Sequence, residues 1–263
     1  MAVLKNVTIT DTDSFSLPVG NTSQRSASPT AGETRFNSIF KVVEYYNGST
    51  WLYLPPLTTS GMRMRLDAAE PASYSGSGTS WNDISGNANN STLYNSPSFS
   101  STYGGGLTFN KNTTYVGLPT DLITSNDFTV MMWVKGDGTG NGQTIFANYP
   151  AGPLQLFYST AYIGMYLNNS SAYASTTNYT ADPVQFTAVR SGSDTYVYLN
   201  NVMIKQGSSD SSLGTSKPFR IGTNTSGTEP YGGTVYTCQV FPYALTSSQI
   251  NDNYTVMRRR FGV

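Results

Sequence analysis

The chain has 263 residues, a formal net charge of zero, no histidine and a single cysteine. Only 11% of the residues are charged while 13% are aromatic, a composition that argues against disorder and favours strands and tight turns over helices. No segment approaches the ~20 apolar residues of a membrane-spanning helix, and the one basic run is Arg258-Arg259-Arg260, so we expect neither membrane insertion nor a nucleic-acid partner.

The missing histidine and the lone Cys238 restrict the chemistry available to the chain. Histidine is the commonest general base and a common metal ligand, and neither role can be filled by it here. Cys238 cannot form an intrachain disulfide and is expected to be a small buried side chain within a strand. Residues 1–10 lack the apolar core of a signal peptide, so we expect no secretion by that route.

The first sixty residues are predicted to form a small β-hairpin module. Its strands are expected over residues 33–37, 40–46 and 50–54, preceded by a leading strand or arm over residues 1–12. Asn47-Gly48 is typical of a two-residue type I′ turn, and Pro55-Pro56 begins a linker. A segment of about 60 residues without a disulfide or a metal buries too little core alone. We therefore expect it to associate with copies of itself or with another protein.

Short motifs punctuate this front segment. They are Leu17-Pro18-Val19-Gly20, Gln24-Arg25, Ser28-Pro29, Gly32, Arg35-Phe36-Asn37 and Glu44-x-Tyr46-x-Gly48-x-x-Trp51. Together they resemble a module repeated in tailed-bacteriophage structural proteins, especially fibre-like ones, with Ser26 as a departure where a proline often follows the Gln-Arg pair. The resemblance implies attachment to other virion proteins and three-fold association, for which the candidate residues are Gln24, Arg25, Arg35, Phe36, Tyr46 and Trp51.

From Met62 onward, short strands alternate with clusters of Gly, Asn and Ser. Phe128 to Lys135 is apolar on both faces, which is typical of a strand inside a sandwich. Asn200-Asn201 is expected to make a tight hairpin turn, because Asn tolerates the left-handed conformation. Further strands are expected over residues 64–68, 107–110, 114–116, 143–148, 154–158, 163–167, 183–190, 195–199 and 202–205.

The last thirty residues predict a strand followed by one short helix. The strand, residues 234–241, ends before Pro242, which has no N–H to donate. Thr246 and Gln249 have the spacing of a capping box. One helical face is expected to carry Ile250, Tyr254, Met257 and Phe261. We interpret the arginine run that follows as serving helix-end electrostatics and solubility.

A second set of motifs is spread over nearly all of this larger part. It comprises Leu66-Asp67-Ala68, Trp81-x-Asp83-Ile84-Ser85-Gly86-Asn87, Gly105-Gly106-x-x-Phe109, Phe128-Thr129-Val130-x-x-Trp133-Val134-Lys135, Val197-Tyr198-Leu199-Asn200, Ile221-Gly222, Gly232-Gly233, Tyr243-Ala244-Leu245-Thr246-x-x-x-Ile250 and Arg260-Phe261-Gly262. Together these motifs resemble the concanavalin-A-like jelly roll of the laminin-G type. The resemblance implies two antiparallel sheets and, commonly, carbohydrate or protein binding.

We therefore predict an all-β protein with two parts. A two-sheet antiparallel jelly-roll sandwich with one short C-terminal helix is expected over residues 62–263. A small β-hairpin N-terminal module for attachment and oligomerisation is expected over residues 1–60. Fold does not fix function, so the candidate sites are weighed separately.

Catalysis and calcium binding are both disfavoured. Glycoside hydrolases on this kind of sandwich use clustered carboxylates, whereas the glutamates here are isolated in sequence, although distant carboxylates could still meet in space. Asp83, Asn87 and Asn89 offer hard oxygens in one loop, but one carboxylate is too few for a tight calcium site unless Asp67 or Glu229 joins it. We favour an Asx-rich turn and no cofactor, with calcium as the alternative.

Tyrosines and asparagines that cluster in sequence offer a candidate glycan surface. Aromatic rings stack on sugars, and amide side chains supply directional hydrogen bonds. The candidate ligand-binding residues are Tyr149, Tyr158, Tyr162, Tyr166, Asn168 and Asn169. Tyrosines are also normal strand residues with half-buried rings, so an ordinary structural role is open for each.

These observations favour a non-enzymatic structural protein of a tailed-bacteriophage virion, assembled in the host cytoplasm as a fibre, appendage or capsid decoration. The front module would attach it as a homotrimer, and the jelly roll would face outward, where host-surface polysaccharide is the candidate ligand. The first alternative is a dedicated carbohydrate-binding receptor-recognition protein. The second is a divergent polysaccharide-degrading enzyme.

Overall fold

The computed structural model describes residues 16–140, 142–159, 162–167, 170–175, 182–210, 212–213 and 217–263. Within these residues, β-strands form three sheets and one α-helix, α1 (Ser247–Phe261), closes the chain. That helix is too short and too polar to cross a membrane, and no other helix in the described residues could do so. The leading strand or arm expected over residues 1–12 lies outside the described residues.

A four-stranded front sheet is built from the N-terminal segment. Its strands, in sheet order, are β1 (Val19–Gly20), β2 (Thr34–Asn37), β3 (Val42–Tyr46) and β4 (Trp51–Leu54). The strands predicted near residues 33–37, 40–46 and 50–54 are confirmed, but the turn after β3 differs from the predicted type. It is a four-residue loop in which Asn47 Oδ1 accepts the N–H groups of Ser49 and Thr50 at 2.9 and 2.8 Å. The Asn side chain satisfies these loop amides, so a two-residue turn is not required.

The remaining strands form two eight-stranded antiparallel sheets. The open sheet runs in the order β15 (Ser170–Ser175), β14 (Tyr162–Leu167), β13 (Leu154–Tyr158), β12 (Gln143–Ala147), β19 (Phe219–Ile221), β10 (Tyr115–Leu118), β7 (Ser91–Tyr94) and β6 (Ser80–Trp81). The covered sheet runs in the order β18 (Val202–Ser208), β17 (Asp194–Leu199), β16 (Val184–Ser191), β11 (Phe128–Gly136), β20 (Gly232–Phe241), β9 (Gly106–Asn110) and β8 (Ser98–Ser100), with β5 (Met64–Asp67) also paired to β20. The predicted all-β sandwich with one C-terminal helix is confirmed.

The main core lies between the open and covered sheets. Its large buried side chains include Met64, Leu66, Trp81, Phe128, Phe146, Phe186 and Phe219. β11 is central, because β16 and β20 pair with its two edges. Asn200 and Asn201, between β17 and β18, have φ values of 48° and 66°, which confirms the tight hairpin turn predicted there.

A second core covers the outer face of the covered sheet. Trp133 of β11 points outward and stacks on Phe261 of α1, with ring centroids 4.2 Å apart. Phe40 and Tyr53 of the front segment are buried in the same cluster. The front segment therefore buries part of its apolar surface against its own chain. From the sequence, association with other chains was expected to be the only route to a core. The outer face of the covered sheet provides another route. Sequence periodicity did not show that this sheet has a second apolar face.

Most of the features predicted for the C-terminal helix are confirmed. Thr246 and Gln249 form the expected capping box, and Ile250, Met257 and Phe261 are buried. The interpretation of the arginine run is wrong for one member. Arg260 is fully buried and ion-paired, whereas Arg258 and Arg259 are exposed, because Arg260 alone lies on the helical face that packs against the sheet.

Candidate functional site

The outward face of the open sheet is the candidate site. α1 and the front sheet cover the outer face of the covered sheet, and the described residues place no comparable layer over the open sheet. In β7, Leu93 points into the core, while Thr92 and Tyr94 point outward and are exposed. This alternation is the ordinary period of a half-buried strand.

Strand register aligns one row of residues across this face. Successive cross-strand partners in the row are Thr92, Gly117, Arg220, Ala147, Gln155 and Tyr166. Arg220 therefore has two small residues as its direct neighbours, Gly117 on β10 and Ala147 on β12. Small neighbours leave open space around its guanidinium group.

A pocket of about 350 Å³ opens beside this row. We call it the tyrosine pocket; the lining residues that matter here are Asn90, Thr92, Tyr94, Tyr115, Gly117 and Arg220. The rings of Tyr94 and Tyr115 stack with centroids 4.6 Å apart and an interplanar angle of 9°. Arg220 Cζ lies 4.4 Å from the centroid of the Tyr115 ring, which is a cation–π contact.

Gly117 allows this arrangement to form. A Cβ atom at position 117 would lie 2.8 Å from Cε2 of Tyr94, closer than real contacts permit. The Tyr94 ring therefore occupies space that any other residue at this position would fill. Glycine is used here for close approach of a ring to the backbone.

Arg220 is positioned by contacts that leave much of its hydrogen-bonding capacity unused. Its Nη1 donates to the backbone oxygen of Asn224 at 3.2 Å. No carboxylate among the described residues pairs with it, in contrast to Arg25, Arg35, Arg65 and Arg260. A half-buried cation of this kind, in a pocket lined by aromatic rings, suits an oxygen-rich ligand.

The tyrosine cluster predicted from sequence is distributed over several environments. Tyr149 and Tyr166 meet edge to face, with ring centroids 5.5 Å apart, and Tyr162 is 44% exposed at the start of β14. Tyr158 is 2% exposed and packs against Tyr231, so the suggestion that it stacks on a ligand is corrected: its side chain points into the sandwich core. Asn168 and Asn169 lie outside the described residues.

Two of the predicted attachment residues make ion pairs within the chain. Arg25 lies 2.6 Å from a Glu44 oxygen and 2.8 Å from a Glu70 oxygen, and Arg35 lies 3.7 Å from Glu44. Burial by itself would lower the pKa of Arg25, but the hydrogen bond to Glu44 and the charge of Glu70 outweigh it and raise that pKa. Because Glu70 follows β5, these contacts join the front sheet to the sandwich.

The other predicted attachment residues lie on the front segment with varied contacts. Gln24 accepts the N–H of Asn21 at 2.9 Å and so closes a short capped turn. Tyr46 and Trp51 face each other across β3 and β4 with ring centroids 5.7 Å apart. Phe36 is half-buried on the outward face of β2. Their attachment role stays a prediction.

The buried carboxylates converge in a way that the sequence did not reveal. Glu44 lies on β3, whereas Asp67 and Glu70 lie at and just after the end of β5, yet a shared set of arginines binds all three. Their side chains are almost inaccessible, with exposed fractions of 0%, 7% and 1%. Carboxylates in this setting stabilise the junction between the sheets and are not accessible to a sugar.

The Asp83 loop is tied to the strand beside it. Asp83 Oδ1 accepts the N–H groups of Arg65 and Ser85, each at 2.8 Å, and Oδ2 accepts the Asn89 N–H at 3.0 Å. Asn87 and Asn89 donate side-chain N–H groups to the backbone oxygens of Met62 and Arg63. No cluster of metal-ligating side chains occurs among the described residues. The arrangement has the hydrogen bonding of an Asx-rich turn.

Comparison of the sequence with protein-family models identifies the fold family. Residues 110–251 match the Laminin_G_3 model of the concanavalin A-like lectin/glucanases superfamily. The chain belongs to this superfamily. The laminin-G-type resemblance is confirmed. A search of curated proteins found no match.

Solved structures with the same fold include three carbohydrate-related or toxin proteins. Domain 4 of AbnA, a GH43 extracellular arabinanase from Geobacillus stearothermophilus in complex with arabinotriose, aligns with a TM-score of 0.60 at 17% identity, covering 73% of this chain and 98% of that one. The binding domain of Paraclostridial Mosquitocidal Protein 1 gives 0.58 at 13% identity, covering 75% of this chain and 52% of that one. Trypanosoma rangeli sialidase in complex with sialic acid aligns with a TM-score of 0.53 at 15% identity, covering 79% of this chain and 35% of that one. At these identities the likeness establishes the fold alone.

Proposed function

We propose that this protein is a non-enzymatic carbohydrate-binding protein and that its tyrosine pocket holds the saccharide. The observation that carries the proposal is the stack of Tyr94, Tyr115 and Arg220 on the uncovered face of a lectin-type sandwich. Tyr94 is 44% exposed, so it offers a ring face to the apolar side of a pyranose. The pocket volume of about 350 Å³ lies at the small end of the ~300–1,000 Å³ range of ligand sites.

Binding without cleavage fits the composition of this pocket. Glycoside hydrolysis ordinarily needs two carboxyl groups flanking the scissile bond, and the pocket lining contains neither Asp nor Glu among the described residues. Asn90 and Thr92 supply neutral hydrogen-bonding groups instead. Release of new reducing ends from a bound polysaccharide would contradict this part of the proposal.

The test is binding to bacterial surface polysaccharides with two matched tyrosine variants. Tyr115→Ala removes the centre of the stack, whereas Tyr162→Ala removes an exposed tyrosine of the same sheet outside the tyrosine pocket. We expect Tyr115→Ala to weaken binding about tenfold or more, since an aromatic stack is worth roughly 1 kcal/mol beyond its buried area, and Tyr162→Ala to have little effect. The reverse result would move the site to the cluster predicted from sequence, and no saturable binding would refute the proposal.

A calcium chelator provides a further arm of the same experiment. Both oxygens of Asp83 already accept hydrogen bonds from the chain. We therefore expect binding to be unchanged by the chelator. Loss of saccharide binding in the presence of the chelator would indicate that the Asp83 loop holds a calcium ion.

We also propose that the protein works in a tailed-bacteriophage virion as a fibre, appendage or capsid decoration, attached through its front sheet as a homotrimer. The motifs of the front segment support this role, and so does an apolar row of cross-strand partners: Val19, Phe36, Val43 and Leu54. Val19 is 70% exposed and Leu54 46% exposed, which suits contact with copies of the same chain. Light scattering should report a trimer that Phe36→Ser dissociates. A monomer that does not co-purify with virions would refute this role.

A further inference from the structure

We infer that the tyrosine pocket selects saccharides that carry a carboxylate, and that Arg220 binds this group. The inference rests on the proposed carbohydrate-binding function and adds a ligand class to it. It depends on the position, the charge and the free edge of one guanidinium group.

The position of Arg220 is fixed from two sides. Its guanidinium lies against the Tyr115 ring, with Cζ 4.4 Å from the ring centroid, and Nη1 is held by the Asn224 backbone oxygen at 3.2 Å. A guanidinium fixed in this way loses less conformational freedom when it binds a ligand.

The charge of Arg220 has no partner among the described residues. The arginines of the front-sheet junction each lie within 4 Å of a carboxylate, but no ion pair involves Arg220, and the pocket lining contains no acidic residue. Binding of an anion to a cation that is unpaired and partly removed from water is favourable. The pocket is therefore positive where a ligand would enter.

The free edge of Arg220 determines the kind of anion. Its Nε and Nη2 atoms donate no hydrogen bond to any described residue, and together they form a planar pair of donors that matches the two oxygens of a carboxylate. The exposed ring of Tyr94 stacks on the same Tyr115 ring that Arg220 contacts. An acidic oligosaccharide, with one sugar ring on Tyr94 and the carboxylate of another unit on Arg220, would use both features.

The experiment uses an array of bacterial surface polysaccharides, each acidic member present in its native form and with its carboxyl groups reduced to alcohols. We expect the protein to bind native acidic members about 10- to 100-fold more tightly than the reduced forms, as expected for a charge-assisted hydrogen bond. The Arg220→Gln variant should bind both forms alike. Arg220→Lys should restore part of the preference, because it keeps the charge without the planar fork.

Arg258→Gln is the matched control. Arg258 also lies beside a tyrosine, with Cζ 5.8 Å from the Tyr254 ring centroid, but it is exposed and lies on α1, away from the tyrosine pocket. It should leave the preference unchanged, and the melting temperature of each variant should show that it is folded.

Two results would overturn the inference alone. Equal binding of native and reduced members, still lost in Tyr115→Ala, would leave the carbohydrate site in place without acid selectivity. A neutral polysaccharide that has been chemically sulfated could bind as tightly as a carboxylated one. The pocket would then select anions in general and not carboxylates. Failure of the protein to bind any member would instead refute the proposed function itself.

Discussion

Arg260 Nη1 lies 2.8 Å from Asp67 Oδ1, and both side chains are almost completely inaccessible. The same guanidinium donates to the backbone oxygens of Tyr103 and Gly105 at 2.5 and 2.6 Å. One side chain near the C-terminus therefore joins α1, β5 and the segment before β9.

Arg260→Ala should destabilise the protein strongly. It leaves Asp67 buried without its closest cation, and breaking a buried ion pair from one side costs about 3–5 kcal/mol. The adjacent Arg259→Ala is the control, because Arg259 is exposed and such changes usually stay within ~0.5 kcal/mol. Urea unfolding measures both. Equal effects of the two substitutions would contradict the role assigned to Arg260.

Arg25→Ala should also lower the free energy of unfolding, by about 3 kcal/mol or more, since Glu44 and Glu70 would both lose their closest cation. The control is a double-mutant cycle with Glu70→Gln, in which the loss caused by Arg25→Ala should be smaller. If Arg25 served only attachment to another protein, its removal would leave unfolding unchanged.

Local patterns in the sequence predicted most of the strands and the helix. The capping box of α1, the doubly apolar β11 and the Asn200-Asn201 turn each depend on residues close together in the chain, and each is confirmed. Arg260 was misjudged because helix periodicity alone does not say what lies opposite each face. Its partner, Asp67, is 193 residues away in the sequence.

The candidate site could not be found from sequence clusters. Tyr94, Tyr115 and Arg220 come from β7, β10 and β19, which become neighbours only through the strand order of the open sheet. A usable signal was present in the alternation Thr92, Leu93, Tyr94, which places the tyrosine on the polar side of its strand. The glycan surface was predicted instead at tyrosines that are close in sequence, and one of them, Tyr158, is buried.

The front-sheet junction should become less stable at alkaline pH. Burial, and then the charge of Glu70, raise the pKa of Tyr53 well above its usual value of 10.0. A group whose pKa is raised in the folded state stabilises the fold fully below the unfolded pKa and loses that contribution as the pH rises towards the folded pKa. The Tyr53 contribution should therefore be complete at pH 8 and decline above about pH 10.

Tyr53→Phe tests this pH dependence. The Tyr53 hydroxyl donates to Glu70, so the variant should be less stable at pH 8 by about 1.5–3 kcal/mol, the value of a hydrogen bond to a charged group. The gap between the two proteins should narrow above pH 10. Tyr45→Phe, which alters a half-exposed tyrosine of β3, should show neither effect. A gap that stays constant up to pH 11.5 would contradict the pKa shift.

Gly117→Ala should weaken saccharide binding with little effect on stability. The new Cβ would meet Tyr94 Cε2 at 2.8 Å, and the exposed ring should move off Tyr115 to avoid it. We expect about a tenfold loss of affinity and a change in unfolding free energy within about 1 kcal/mol. In a Tyr94→Ala background the same substitution should have no further effect. An additional loss there would mean that Gly117 acts independently of the ring.

The most direct test of the central claim is to locate the ligand by NMR. Protein labelled with ¹³C in its tyrosine rings would be titrated with oligosaccharides cut from a polysaccharide that it binds. The tyrosine pocket predicts saturable shifts of the Tyr94 and Tyr115 ring signals, with Tyr149 and Tyr162 unaffected. Shifts confined to Tyr149, Tyr162 and Tyr166, with Tyr94 and Tyr115 unchanged, would contradict the account.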